Sequence, residues 1–135
     1  MKKEKSCGII VFHNDKVLMV KQLLGHWGFP KGHIEKDETE YETALREVKE
    51  ETNIDARIID GFRKVISYSP KEGVIKYVTF FIGEPLNYDT ISQENEIEQT
   101  LFVPIGEAIN LVTYEEEKEA LNEAIDFIKK QKEEK

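Results

Sequence analysis

Apolar and polar positions fall into blocks along this chain, and the period of the blocks changes. Residues 6–13 and 16–21 are rich in Ile, Val, Phe and Leu with Asn14-Asp15 between them, so they predict two strands joined by a tight hairpin turn. Residues 23–33 hold three Gly, one Pro and the only Trp, punctuation too dense for a regular element, and predict a loop. The period then lengthens. Tyr41, Ala44, Leu45, Val48 and Thr52 recur at helical spacing and predict a buried stripe. Thr39 and Glu42 form a capping box that starts this helix near Glu40, and Asn53 suits the left-handed position at its end. β-Branched and aromatic residues return over 56–68 and 74–83, a second hairpin joined by residues 69–73. A polar stretch, 84–95, precedes a strand at 97–103, a short helix at 105–111 and a last helix near 115–130 that buries Leu121, Ala124, Ile125 and Ile128. Strands interrupted by one helix and closed by another predict an α/β (α+β) fold with a mixed β-sheet between helices, and 135 residues without repeat or linker fit one domain.

Charge changes the meaning of the central helix. Eight acidic and three basic side chains lie between Glu35 and Glu51. Glu47, Glu50 and Glu51 share one helix face, where like charges repel by ~0.2–0.5 kcal/mol per pair, and the last two also meet the negative end of the helix dipole. At 100° per residue the apolar stripe centres roughly 110° from Glu47, so the three carboxylates are expected to border the packed side without entering it. A divalent cation would remove the repulsion, and an oxygen cluster of this kind suits Mg²⁺.

The rest of the composition narrows the class. A net charge of −8 argues against nonspecific nucleic-acid binding, which needs a basic surface. Lys21, Lys31, Arg63, Lys64, Lys71 and Lys76 nevertheless lie away from the acidic helix, where a small polyphosphate could be held. Cys7 is the only cysteine, which rules out an intramolecular disulfide and suits a reducing cytoplasm; its apolar surroundings mark a packed thiol. No apolar run approaches the roughly 20 residues of a membrane span, and no targeting segment is read, so a soluble cytoplasmic protein is expected.

The acidic segment resembles the Nudix box: Gly, five residues, Glu, seven residues, Arg-Glu, an aliphatic, any residue, Glu-Glu, any residue, Gly, an aliphatic. Gly32, Glu38, Arg46, Glu47, Val48, Glu50, Glu51 and Ile54 fill eight of the nine places between 32 and 54, and Asn53 replaces the second glycine. That glycine ends a helix, a task asparagine performs at modest cost. The resemblance implies a Nudix α/β/α sandwich and hydrolysis of a nucleoside diphosphate linked to another moiety. It implies further that Glu47, Glu50 and Glu51 ligate Mg²⁺, with Mn²⁺ as a substitute, and that the Gly32 carbonyl adds a ligand. One of these glutamates or a loop glutamate deprotonates water. Arg46 and Glu38 are expected to pair with each other or with neighbouring glutamates and orient the helix. Among Glu94, Glu96 and Glu98, Glu96 stands six residues before Phe102, the family's usual spacing for a catalytic or metal-binding loop glutamate, with Glu98 second.

Residues 6–12, 27–33, 42–47 and Gly61-Phe62 are similar to the asymmetrical diadenosine tetraphosphate hydrolases within that family, which cut the dinucleotide to ATP and AMP. Other Nudix pyrophosphatases are the alternative, acting on modified nucleoside triphosphates, diphosphoinositol polyphosphates or RNA 5′ ends, as is a catalytically silent nucleotide-binding module. A four-phosphate bridge needs cations and its adenine needs a flat partner. Lys31 and His33 beside the box, Lys64 and Lys76 on the second hairpin, and Tyr77 or Tyr68 for stacking are the candidates. His26 is assigned phosphate contact or loop hydrogen bonding, Trp27 loop packing, and His13 simple exposure. A small nucleotide is the expected partner of a monomer or dimer, with no membrane and no stable nucleic-acid partner.

Overall fold

The computed structural model describes residues 1–133. Its frame is a seven-stranded mixed sheet organised around the first strand, β1 (Lys2–His13). β1 runs parallel to β6 (Val74–Pro85), from Lys2 opposite Val74 to Val11 opposite Gly83. Its other edge meets β4 (Lys31–His33) antiparallel, with Cys7 opposite Gly32, and its end turns into β2 (Lys16–Gln22). β5 (Ala56–Lys71) closes one side as a hairpin with β6; β3 (Trp27–Gly28) and β7 (Ile97–Pro104) flank β2.

Both faces of β1 are covered, which explains its unbroken burial from Ser6 to Phe12. Cys7, Ile9 and Val11 pack with Ala44 and Val48 of α1 (Glu40–Thr52) and with Ile54 and Phe81. Ile10 and Phe12 face the opposite layer, formed by α2 (Ile105–Leu111) and α3 (Glu115–Glu133), through Ala108, Ala120, Leu121 and Ala124. The alternation follows from the two-residue period of a strand. Gly8 lies where β1 and the approach to β4 come closest: a Cβ there would collide with the Pro30 carbonyl and the Lys31 side chain.

α1 begins and ends as its residues dictate. The Thr39 hydroxyl accepts from the Glu42 N–H at 3.1 Å, and the Glu42 carboxylate accepts from the Thr39 N–H at 2.9 Å. Asn53 takes the left-handed conformation, φ 67°, and its N–H donates to the Lys49 carbonyl.

Four expectations are corrected. Residues 23–33 are not a plain loop, because β3 and β4 capture two short pieces of them as edge pairings. The second hairpin turns at Glu72-Gly73, with β5 continuing through Pro70; β5 is an edge strand, where a missing N–H is tolerated, and its register slips between Tyr68 and Lys71. Tyr41 is 44% exposed and rests edge-on against Phe81, while Thr43 is buried. Glu51 does enter the packed side, at 5% exposure, because β4 and the preceding loop roof that end of α1.

Candidate active site

The site forms where the roof of β4 meets the last turn of α1. The Lys31 N–H donates to Glu51 Oε1 at 3.1 Å, fixing that carboxylate inside. The Glu47 carboxylate lies directly on Gly32, so that any Cβ at this position would overlap it. Absence of a side chain at 32 thus lets a strand backbone and a carboxylate meet. The orphan carbonyls at the end of α1 are used as well: Glu51 and Thr52 accept from the Gln93 and Ile91 N–H groups. This lacing brings the turn before β7, and Glu96 with it, to the same place.

Arg46 organises the neighbouring acids. Its guanidinium donates to both oxygens of Glu38 at 2.7 and 2.9 Å, to Glu47 Oε1 at 2.7 Å, to Glu50 Oε2 at 3.1 Å and to the His33 carbonyl at 3.0 Å. One planar fork therefore ties β4, the loop before α1 and two turns of α1 together. Hydrogen bonding from Arg46 holds Glu38 down at about 2, and Glu38 in turn raises the Arg46 pKa.

The two inner glutamates shift in the opposite direction from Glu38. Burial, then the neighbouring Glu47 charge, pushes Glu51 up to about 8. Burial likewise raises Glu47, against the pull of Arg46. The Glu96 charge adds to both shifts. Arg46 and Lys31 offset only part of the cost of crowding these carboxylates, in an all-oxygen donor set suited to a hard cation. Among the described residues no three such side chains are yet drawn together into a ready-made metal site, since Arg46 holds Glu47 and Glu50 toward itself.

Glu47, Glu51, Glu96 and Gly32 line a cleft of about 540 Å³. Lys31, His33 and Lys76 line it too, as does Tyr68. Burial lowers the Lys76 pKa, with the Lys31 charge adding to the effect. Burial works against the Lys31 ammonium as well, but Glu117, Tyr68 and Glu51 outweigh it and the pKa rises. Of the three loop glutamates only Glu96 is among the lining residues; Glu98 pairs outward with Lys21 at 3.1 Å.

Two candidates fall elsewhere. Lys64 lies under α3, 2.7 Å from Glu123, because the β5 positions on the Tyr68 face run away from the cleft beneath that helix. Tyr77 alternates with Lys76 and so points to the α1 face of the sheet, opposite Lys5 and Ser67. Cys7 is fully buried with its thiol pushed up to about 11, chiefly by burial, and takes no part.

Sequence reasoning missed Tyr114, which stacks on Tyr68 with ring centres 5.4 Å apart and planes 16° from parallel. His26 lies 5.4 Å from the Tyr114 ring and lines the same cleft. An aromatic residue immediately before an amphipathic helix was the available signal. Glu117 was missed as well: it sits four residues before Leu121, in the register of the buried stripe, but reads as part of a solvated acidic run.

A cleft roofed by a glycine strand thus stands beside a helix that carries Arg46, Glu47, Glu50 and Glu51, on a mixed sheet between helix layers. The chain belongs to the Nudix family: the NUDIX domain model matches residues 2–125. It is a hydrolase by that membership. Among its relatives, the asymmetrical bis(5'-nucleosyl)-tetraphosphatase of Rattus norvegicus is 32% identical over 142 residues, covering 92% of this chain and 95% of the relative. The enzyme of the same name from Sus scrofa is 31% identical at the same coverage. A crystal structure of a C. elegans Ap4A hydrolase binary complex superposes with a TM-score of 0.83 at 25% identity, covering 93% of this chain and 97% of that one. Among the described residues no helix is long and apolar enough to cross a membrane.

Proposed function

We propose that this hydrolase cleaves diadenosine tetraphosphate to ATP and AMP, with a divalent cation as cofactor. The observation that carries the reading is the content of one cleft: clustered carboxylates at Glu47, Glu51 and Glu96, ammonium groups at Lys31 and Lys76, and the Tyr68–Tyr114 stack. The relatives named above support the same substrate.

Water adds to one phosphorus as the bridging P–O bond of the anhydride breaks, and the attacking water must lose a proton. Glu47, Glu50, Glu51 and Glu96, with the Gly32 carbonyl, would hold Mg²⁺ or Mn²⁺, which supplies charge neutralisation and a more acidic water. Glu47 and Glu96 are the carboxylates assigned to accept that proton, and Glu50, half-exposed beside Arg46, is the alternative. Arg46 acts by holding Glu47 and Glu50 in place. Lys31, His33 and Lys76 bind the phosphates left uncovered, and Tyr68 with Tyr114 stacks an adenine, which the rings admit by parting or by offering one outer face. A cytoplasmic location is part of the same proposal.

The test is a panel of diadenosine tetraphosphate, oxidised dGTP, ADP-ribose and a diphosphoinositol compound at equal concentration, with products identified by chromatography. Preferential release of ATP and AMP is expected. Faster turnover of another member overturns the substrate assignment.

A further inference from the structure

Glu117 is fully buried in α3, and its carboxylate is only half satisfied: Oε1 accepts from Lys31 Nζ at 2.9 Å, while Oε2 has no hydrogen-bond partner among the described residues and presses against Gly28. Neither the cation nor the proton transfer calls for an acid at this position, and burying one is costly. Lys31 gives it a purpose. The Lys31 backbone N–H already holds Glu51, and its ammonium shares the cleft with Glu47, Glu51 and Glu96. A lysine side chain is a flexible stem carrying a point charge. Without Glu117, the opposite charges within the cleft would be the carboxylates assigned to the cation.

The support for Glu117 is rigid. One turn earlier, the Trp27 N–H donates to the Thr113 hydroxyl at 2.8 Å, and the Thr113 N–H donates to the Trp27 carbonyl at 3.1 Å. The start of α3 is thereby fastened to the segment that carries Lys31. We propose that Glu117 is a positioning residue that holds the Lys31 ammonium off Glu51, leaving the glutamates to a divalent cation and the remaining ammonium hydrogens to a phosphate. The inference rests on the reading that Glu51 binds a cation and Lys31 a phosphate.

Calorimetric titration with Mg²⁺, in the absence of substrate, tests it on wild type, Glu117→Met, Glu117→Gln and the double variant Lys31→Met/Glu117→Met, with KM and kcat measured alongside. Glu117→Met should weaken Mg²⁺ binding about tenfold and raise KM about tenfold, with kcat changed less than about threefold. Glu117→Gln keeps an acceptor for Nζ and should fall between. The double variant replaces the pair by apolar groups of similar size, and should return Mg²⁺ affinity to within about twofold of wild type while KM stays high. Thermal unfolding without metal separates this from a purely structural role, in which Mg²⁺ affinity would track folded-state stability across the variants and KM would recover in the double variant. The inference is overturned if Glu117→Met binds Mg²⁺ like wild type, or if the double variant binds no better than the single. Should Glu117→Met not fold, Glu117→Gln and the double variant make the same comparison. Wild type that binds no Mg²⁺ refutes the cation reading itself and this inference with it; wild type and variants that all bind alike refute only the inference.

Discussion

Glu51→Gln should make the cation-free protein more stable. Burial and the Glu47 charge raise the folded pKa of Glu51 to about 8 from an ordinary 4.5. Between those values the native state keeps a proton that the unfolded state has released. This contribution is complete below pH 4.5 and is lost as pH rises through about 8. At about 1.4 kcal/mol per pH unit, the interval sets a ceiling of about 5 kcal/mol. Glu47 and Glu96 couple to Glu51 and relax part of it, so about 2–3 kcal/mol is expected at pH 8. Glutamine removes the ionisation and keeps an acceptor for the Lys31 N–H. Urea unfolding with a chelator present should therefore find the variant about 2–3 kcal/mol more stable than wild type at pH 8 and nearly equal at pH 5. Millimolar Mg²⁺ should close the gap by stabilising wild type alone. Equal pH slopes in the two proteins, or a variant less stable at pH 8, would refute the reasoning.

Other consequences are as direct. Gly32→Ala forces a methyl group into the Glu47 carboxylate and should cost about 1–3 kcal/mol in thermal unfolding, with a parallel fall in kcat. Glu47→Gln and Glu50→Gln should each lower kcat at least about a hundredfold in steady-state assays, and near-normal rates would contradict their assigned roles. Tyr68→Ala or Tyr114→Ala should raise KM for the dinucleotide by about tenfold or more, as loss of one base–aromatic stack does, while steady-state kcat changes little.

The elements were legible in the sequence wherever a local cause acts. The capping box at Thr39 and Glu42, the left-handed Asn53 and the stripe of the last helix each lie within a few residues of what they determine. The box spacing likewise singled out Glu47, Glu50 and Glu51 as candidates, of which Glu47 and Glu51 line the cleft. What escaped depends on contacts across the chain. Glu51 is buried by Lys31, twenty positions away, and that roof exists only because β4 pairs with β1. Tyr77 and Tyr68 were both stacking candidates, but strand alternation puts Tyr77 on the face opposite Lys76, and sequence alone did not say which face carried the cleft. Tyr114 and Glu117 reach the site from the far end of the chain, through an approach of α3 that no local pattern encodes.

The parallel pairing of β1 with β6 sets the order in which this molecule can be assembled. Roughly seventy residues separate Lys2 from its partner Val74, so the middle of the sheet cannot form until β6 has left the ribosome, and closing so large a loop is slow. Until then β1 is an apolar strand with an open edge, and α1 carries its like charges with only part of its packing surface available. The second hairpin and the cleft therefore share one support: a register slip between β6 and β1 would be passed on to β4, Gly32 and Lys31, which hang on the same strand.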